Sequence, residues 1–255
     1  MMSNKFQPTF SEKTHMGWSV LAVTNHIMKS SGAEREKFEF TLYLPHLPEM
    51  VFPNNVLKLV NQSSGHGLEF TALEALKLVD YQHESIHVAN SSTWKEARAD
   101  CEHIDKVVTP FDWTYTTDYR GSLVGNFKIE ETKEEIDMER LKLKDPILFY
   151  ADVALYEDEL HDCGCSTISV KIRTMPTYFF ILLRFYLRVD DVLVRVNDTR
   201  IFHEFGTNHI LREFTKRQSK YGALEVPLAV IRDPNEIVQH LSVVYKVVEK
   251  LIMVD

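Results

Sequence analysis

Glycine and cysteine are scarce in this chain, with nine and three among 255 residues. Loops that cradle phosphate depend on closely spaced glycines, and neither a P-loop nor a G-x-G-x-x-G pattern occurs; "GHG" at Gly65–Gly67 completes neither. Cys101, Cys163 and Cys165 do not make a fully paired disulfide framework, so reduced thiols in an intracellular compartment are expected. Positive charge is also in deficit. Twenty-nine Lys and Arg against 37 Asp and Glu leave a formal charge of −8, which argues against a nucleic-acid-binding surface. The most apolar run, "YFFILLRFYLRV", is interrupted by Arg184 and Arg188 and is too short to span a bilayer. The opening "MMSNKFQPTF" lacks the apolar core of a signal peptide. A soluble protein of the cytoplasm or nucleus is expected, with no membrane partner. No G-x-S-x-G elbow is found, and nothing in the chain announces an enzyme.

There is no repeat, no low-complexity tract and no Pro/Gly/Ser linker, so one domain over residues 1–255 is expected. "WSVLAVTNHIM" within Gly17–Lys29, the alternating "FEFTLYL" of Phe38–Leu44 and "VLKLV" of Val56–Val60 read as strands. Thr71 followed by Glu74 makes a capping box, and Leu73, Leu76 and Val79 continue it as a helical stripe. A second helix is predicted over "TWKEARADCEH" after Ser91 or Ser92. "FDWTYTTDYRG" reads as a strand closed by Gly121, and the polar stretch Asn126–Lys144 as a mobile or inserted segment.

From Val153 to Phe202 the pattern predicts a four-stranded β-meander: Val153–His161, "STISVKIRTM", Phe179–Val189 and Val192–Phe202, with "DCGC" as the first turn. A two-residue turn at Asp190–Asp191 would set Val189 opposite Val192, Phe185 opposite Val196 and Leu183 opposite Asp198. One face is then apolar as far as Asp198. The other carries Arg184, Tyr186, Arg188, Arg195 and Asn197, a basic surface in want of an acidic partner. Further on, Asp233 followed by Pro234 and Glu236 opens a helix, and Val244, Val247, Val248, Leu251 and Ile252 form a helical stripe. The fold class expected is α+β, a mostly antiparallel sheet system with a central meander and several peripheral helices.

The densest chemistry lies in "YEDELHDCGCSTISVKIR". Glu157, Glu159, His161 and Asp162 are the raw material for a metal-dependent hydrolase. On an extended strand, however, Glu157 and His161 stand about 13 Å apart, and C-x-C lacks the second ligand pair that zinc sites need. Pairing of Glu157 and Glu159 with Lys171 and Arg173 is the expected role, and no metal or other cofactor is expected. His203 beside Glu204 reads as a polar strand end. "VRVNDTRIFHE" is odder, because Asn197, Asp198, Thr199 and Arg200 interrupt a strand with four successive polar side chains. A bulge and a recognition patch at the sheet rim both fit.

"DWTYTTDYRG", "YEDELHD", "SVKIRTMP", "LLRFYLRVD" and "RVNDTRIFHE", with "HIMKS", "LPEM" and "PNEI", closely resemble the TIPRL family, the TOR signalling pathway regulator-like proteins. The resemblance runs in order through nearly the whole chain. It implies a non-catalytic regulator, monomeric when free, that binds the catalytic subunits of type 2A protein phosphatases and inhibits or remodels them. It implies contacts through Glu74, Ile136, Val196 and Asp198, with Asn197 and Arg200 as neighbours. Three positions depart from the family's pattern: Glu74 stands for Asp, Val196 for Met, and Asp191 for the Gly of a D-G hairpin.

Overall fold

The computed structural model describes residues 8–44, 46–79, 87–89, 96 and 111–254. The chain opens with β1 (Thr9–His15), β2 (Trp18–Thr24), α1 (Ala33–Thr41), β3 (Met50–Val51), β4 (Val56–Asn61) and β5 (Gly67–Thr71). It continues through α2 (Ala72–Leu76), β6 (His87–Ala89), β7 (Phe111–Trp113), β8 (Ser122–Val124) and β9 (Phe127–Glu131). The meander is β10 (Phe149–Asp158), β11 (Gly164–Thr174), β12 (Tyr178–Val189) and β13 (Leu193–Glu204). After it come β14 (His209–Lys220), α3 (Leu228–Ile231), α4 (Pro234–Ile237) and β15 (Ser242–Met253). The fold is α+β and mostly antiparallel sheet, and among the described residues every strand pairing is antiparallel. None of the described helices is long and apolar enough to cross a membrane.

Two sheets carry the architecture. A five-stranded sheet has the order β1-β2-β4-β5-β8, and an eight-stranded one the order β3-β10-β11-β12-β13-β14-β15-β9. Their facing sides share one core, in which Trp18, Leu57, Leu59 and Phe70 meet Val170, Phe179, Ile181, Leu183 and Phe185. Period-two alternation puts every second residue of β12 into that core, and the side chains between them onto the outer face.

Three expectations from the sequence are corrected here. "FEFTLYL" is not a strand: its first half closes α1, which buries Phe38, with Leu42 buried four residues on, and leaves Phe40 exposed. The apparent alternation is the i, i+4 face of a helix seen at a short window. The C-terminal stripe is not helical either. "SVVYKVVEKLIM" is dense in β-branched residues, which favour extended backbone, and it forms β15 against β14. The polar stretch Asn126–Lys144 is in part regular sheet, since β9 closes the large sheet against Glu249–Met253 and Ile136 is buried beyond it. The helix expected over "TWKEARADCEH" lies outside the described residues.

"FDWTYTTDYRG" is a strand only at β7. Residues Thr114, Tyr115, Thr117 and Tyr119 that follow are buried without regular structure. Side chains satisfy that backbone. Tyr156 donates to the Tyr115 carbonyl at 2.7 Å, Ser166 to the Thr114 carbonyl at 2.7 Å, and Asn197 Nδ2 to the Thr117 carbonyl at 3.1 Å. Buried backbone polar groups need such partners. Gly121 turns the segment out at φ +88, with the Phe70 ring filling the space a Cβ would take.

His203 sits in the same core, its ring 4.9 Å from Trp18 and 5.2 Å from Phe179. Its Nδ1 lies 2.8 Å from the His209 carbonyl. Burial pushes its pKa down to about 4, against a favourable contribution from that carbonyl. The neutral ring therefore stabilises the fold fully above pH 6.5, and the contribution is lost as pH falls toward 4, where the unfolded chain is already protonated. The expected loss is on the order of 3 kcal/mol. Urea midpoints should fall between pH 7 and pH 4.5, with a smaller fall in His203→Gln; an equal fall in both would assign the acid sensitivity to other groups.

Candidate functional site

The outer face of the eight-stranded sheet carries the unusual chemistry. The β12–β13 loop has three residues, 190–192, with Asp191 at φ +60, so Val189 pairs with Leu193 and not with Val192. The expected two-residue turn is thereby corrected by one position. Because side chains alternate, this slip moves Asp198 from the apolar face to the outer one, opposite Arg184. Arg195 and Asn197 turn inward instead, and Asn197 becomes the buried clamp on Thr117.

Asp198 is 1% exposed, yet it is the best-paired carboxylate of the face. Arg184 grips it in two places, Nε to Oδ1 at 2.7 Å and Nη2 to Oδ2 at 2.8 Å. Arg200 and Arg217 each stand 3.9 Å from Oδ2. The row continues along the face, where Arg200 bonds Glu213 at 3.1 Å and Glu213 meets Lys246 at 2.9 Å. Lys246 also faces Glu135 at 3.4 Å. Burial holds the Arg217 guanidinium below its usual range, and the Glu213 carboxylate holds the Lys246 ammonium above its own. Three guanidiniums and an ammonium meet three carboxylates, Asp198, Glu213 and Glu135, so the row keeps one positive charge in excess.

Apolar covers flank it. At one end Tyr186, Val194 and Val196 are buried under Ile231, Ile237 and Leu241 from the α3–α4 region. Tyr186 donates to the Ile231 carbonyl at 2.7 Å, and Arg184 Nη1 to the Pro234 carbonyl at 2.8 Å. Asp233 caps α4 as expected, accepting from the Asn235 N–H. At the other end Ile136 packs with Met175, Tyr178, Phe202 and Leu211. Between the covers runs a groove of about 550 Å³, floored by Met175, Phe180 and Leu182 and closed by Asn235, whose Oδ1 Arg184 holds. Lys142, Lys144, Lys171 and Arg173 line its sides.

Glu74 lies apart, on the third residue of α2. Thr71 accepts from its backbone N–H as the capping box requires, while its own carboxylate turns to Lys77 at 2.7 Å. With Asp118, Tyr119 and Arg120 it lines a depression of about 320 Å³. Burial pushes the Tyr119 phenol up to about 12, so it stays a neutral donor to the Glu69 carbonyl. Of the six residues expected at a binding site, Val196 and Asp198 share the outer face with Arg200, Ile136 packs at its margin, Asn197 lies on the inner face and Glu74 is on another element. Glu213 and Arg217 were not foreseen. Their signal is the spacing Glu213-x-Thr215-x-Arg217 on β14, which one face must carry.

The acidic stretch is not a centre of this kind. β10 ends at Asp158, and Leu160, His161 and Asp162 turn at positive φ. Lys171 pairs with Asp152 at 3.1 Å and Glu157 stands opposite Thr167, so the expected pairing of Glu157 and Glu159 with Lys171 and Arg173 is corrected. Among the described residues no three His, Cys, Asp or Glu side chains are placed to share a metal ion, and Glu157, Glu159, His161 and Asp162 do not converge. Burial pushes the Cys165 thiol up to about 11, which leaves it unreactive. One zinc-protease spacing, H-E-x-x-H at His83–His87, ends on the first residue of β6, whereas that chemistry needs both histidines on one helical turn; the rest of the motif lies outside the described residues.

The outer face thus sets a buried, gripped carboxylate and its cations beside a groove of mixed apolar and basic lining. The sequence pattern of the TIP41-like family matches residues 50–225, and the chain belongs to that family. It is 46% identical to the TIP41-like protein of Homo sapiens over 99% of this chain and 93% of that protein. It is 36% identical to the "Type 2A phosphatase activator TIP41" of Saccharomyces cerevisiae, over 78% of this chain and 63% of that protein. With the protein of that description in Schizosaccharomyces pombe it shares 30% identity over 92% and 95%.

Removing one partner of a buried ion pair leaves the others uncompensated. Asp198→Asn leaves three guanidiniums facing a neutral amide and should cost about 3 kcal/mol. Arg184→Gln should cost less, because Arg200 and Arg217 still face the carboxylate. Urea unfolding of both variants checks the order, and the reverse order would remove Asp198 from the centre of the row.

Proposed function

We propose that this chain is a non-catalytic regulator that binds the catalytic subunits of type 2A protein phosphatases. What supports the reading is the cationic row on the outer face, built around Asp198, in a chain whose relatives bear the name of type 2A phosphatase activators. The chain acts as one domain, in the cytoplasm or nucleus and within TOR signalling.

The mechanism is occupancy. The groove and the row grip the phosphatase near its active-site loops or its C-terminal tail, which hinders substrate access or holds an inactive form. The roles of the six residues differ. Glu74 and Arg200 are partly exposed and make contact directly. Asp198 is a positioning residue that fixes the directions of Arg184, Arg200 and Arg217. Val196 seats the α3–α4 cover, Ile136 anchors the segment bearing Glu134 and Glu135, and Asn197 holds the 114–121 backbone beside the Glu74 depression.

The relatives' name favours a second reading of the outcome, in which the same grip remodels the phosphatase into an active form. Titration of a type 2A catalytic subunit, reading binding and phosphatase activity together, separates the two. Saturable binding with falling activity is expected. Rising activity would select the second reading, and no binding at micromolar concentration would refute both. Glu74→Lys should weaken binding at least tenfold, about 1.4 kcal/mol, with a thermal midpoint close to that of the parent. Asp198→Asn should lower both affinity and stability. Parental affinity in both variants would refute the assignment of the site.

A further inference from the structure

β15 is paired with β14 along its length, except at a bulge where Lys216 and Arg217 face Tyr245 and Val243 and Val244 is left over. Among the described residues its other side is covered only in part. β9 pairs with Glu249–Met253, and the last bond runs from the Thr132 N–H to the Val248 carbonyl. From residue 242 to 247 no described strand lies along that side. Ser242 to Lys246 are all exposed, with Val243 at 55%, Val244 at 62% and Tyr245 at 45%. Open edges are ordinarily blunted by charge, proline or brevity, because their free N–H and C=O groups pair with any extended chain. Here the run is "SVVYKV", with one lysine and no proline.

The place of this edge in the fold says what it meets. On the inner side, Tyr245 touches the Phe214 ring at 6.2 Å, and Arg120 lies over that ring at 4.2 Å. Lys216, opposite Tyr245, bonds Asp118 at 2.6 Å, and Asp118 and Arg120 line the Glu74 depression. On the outer side Lys246 is the last member of the Asp198 row. The open edge thus joins the two groups of residues that the proposed function assigns to one partner and that lie on opposite faces of the sheet. A notch of about 380 Å³ between Glu131–Glu135 and Lys246–Val248 marks where an incoming chain would stop against β9.

We propose that the edge of β15 from 242 to 247 takes up an extended segment of the phosphatase partner as an added β-strand. The inference rests on the reading of this chain as a phosphatase binder. The site holds about six residues, roughly 20 Å of extended chain, in the line of β9. Main-chain hydrogen bonds supply the affinity. Apolar side chains of the segment pack on Val243 and Tyr245. A second copy of this chain is the poorer occupant. Antiparallel self-pairing about Val244 sets Lys246 against Ser242 without a complementary charge, and the bulge twists the strand there.

Amide hydrogen exchange of the full chain, alone and saturated with a type 2A catalytic subunit, tests it. At least tenfold slowing of amides in 242–247 is expected, and Val244→Lys should weaken binding at least tenfold at an unchanged thermal midpoint. Binding without slowing at 242–247 would overturn the added strand and leave the phosphatase reading intact. Slowing in the free chain that rises with its own concentration would give the edge to a second copy. Absence of any complex would overturn both readings together.

Discussion

One carboxylate decides how the large sheet is put together. Asp198 is withdrawn from water, and an ion so placed costs several kcal/mol unless its oxygens are matched by charge and geometry. Arg184 supplies the match through two parallel N–H bonds, and it is in reach only because the three-residue loop at 190–192 sets β12 and β13 one step beyond the shorter turn. In the shorter register Asp198 would face Leu183 on the core side, turned away from Arg184. That cost falls on the wrong pairing, so the polar residues on β13 enforce register as well as forming a surface.

From that pairing the two sides of the sheet acquire different work. The inner side, with Phe179, Ile181, Leu183 and Phe185, closes over the smaller sheet, while Tyr156, Ser166 and Asn197 hold the irregular 114–121 backbone. The outer side keeps its centre polar and covers both ends, with α3–α4 over Tyr186 and Val196 and the Ile136 segment over Tyr178 and Phe202. The groove between the covers exists because neither reaches the middle. Buried positions such as Val196 and Ile136 hold these covers in place.

The meander was legible because its strands alternate strongly and Pro176 marks one break, although the first turn falls at 159–163 rather than over "DCGC", whose last two residues open β11. The Thr71 and Asp233 caps were legible because capping chemistry is local. What escaped depended on distant partners. Nothing within "FEFTLYL" separates a helix face from an alternating strand; burial of Phe38 and Leu42 against the core does. The β-branched C-terminal run carries helical and strand periodicities at once, and β14 chooses between them. The site was half readable. Asp198 and the excess of arginine on β12 stood out, but the error of one residue in the hairpin placed them on different faces and hid Glu213 and Arg217.

The central claim is that the outer face of the eight-stranded sheet is where this chain meets its partner. Methyl-labelled protein titrated with a type 2A phosphatase catalytic subunit addresses it directly, because Leu182 and Val248 report that face and Val20 and Leu57 report the core of the other sheet. The account predicts large shifts at Leu182 and Val248, with Val20 and Leu57 unmoved. Saturable binding that moves only the smaller sheet would contradict it.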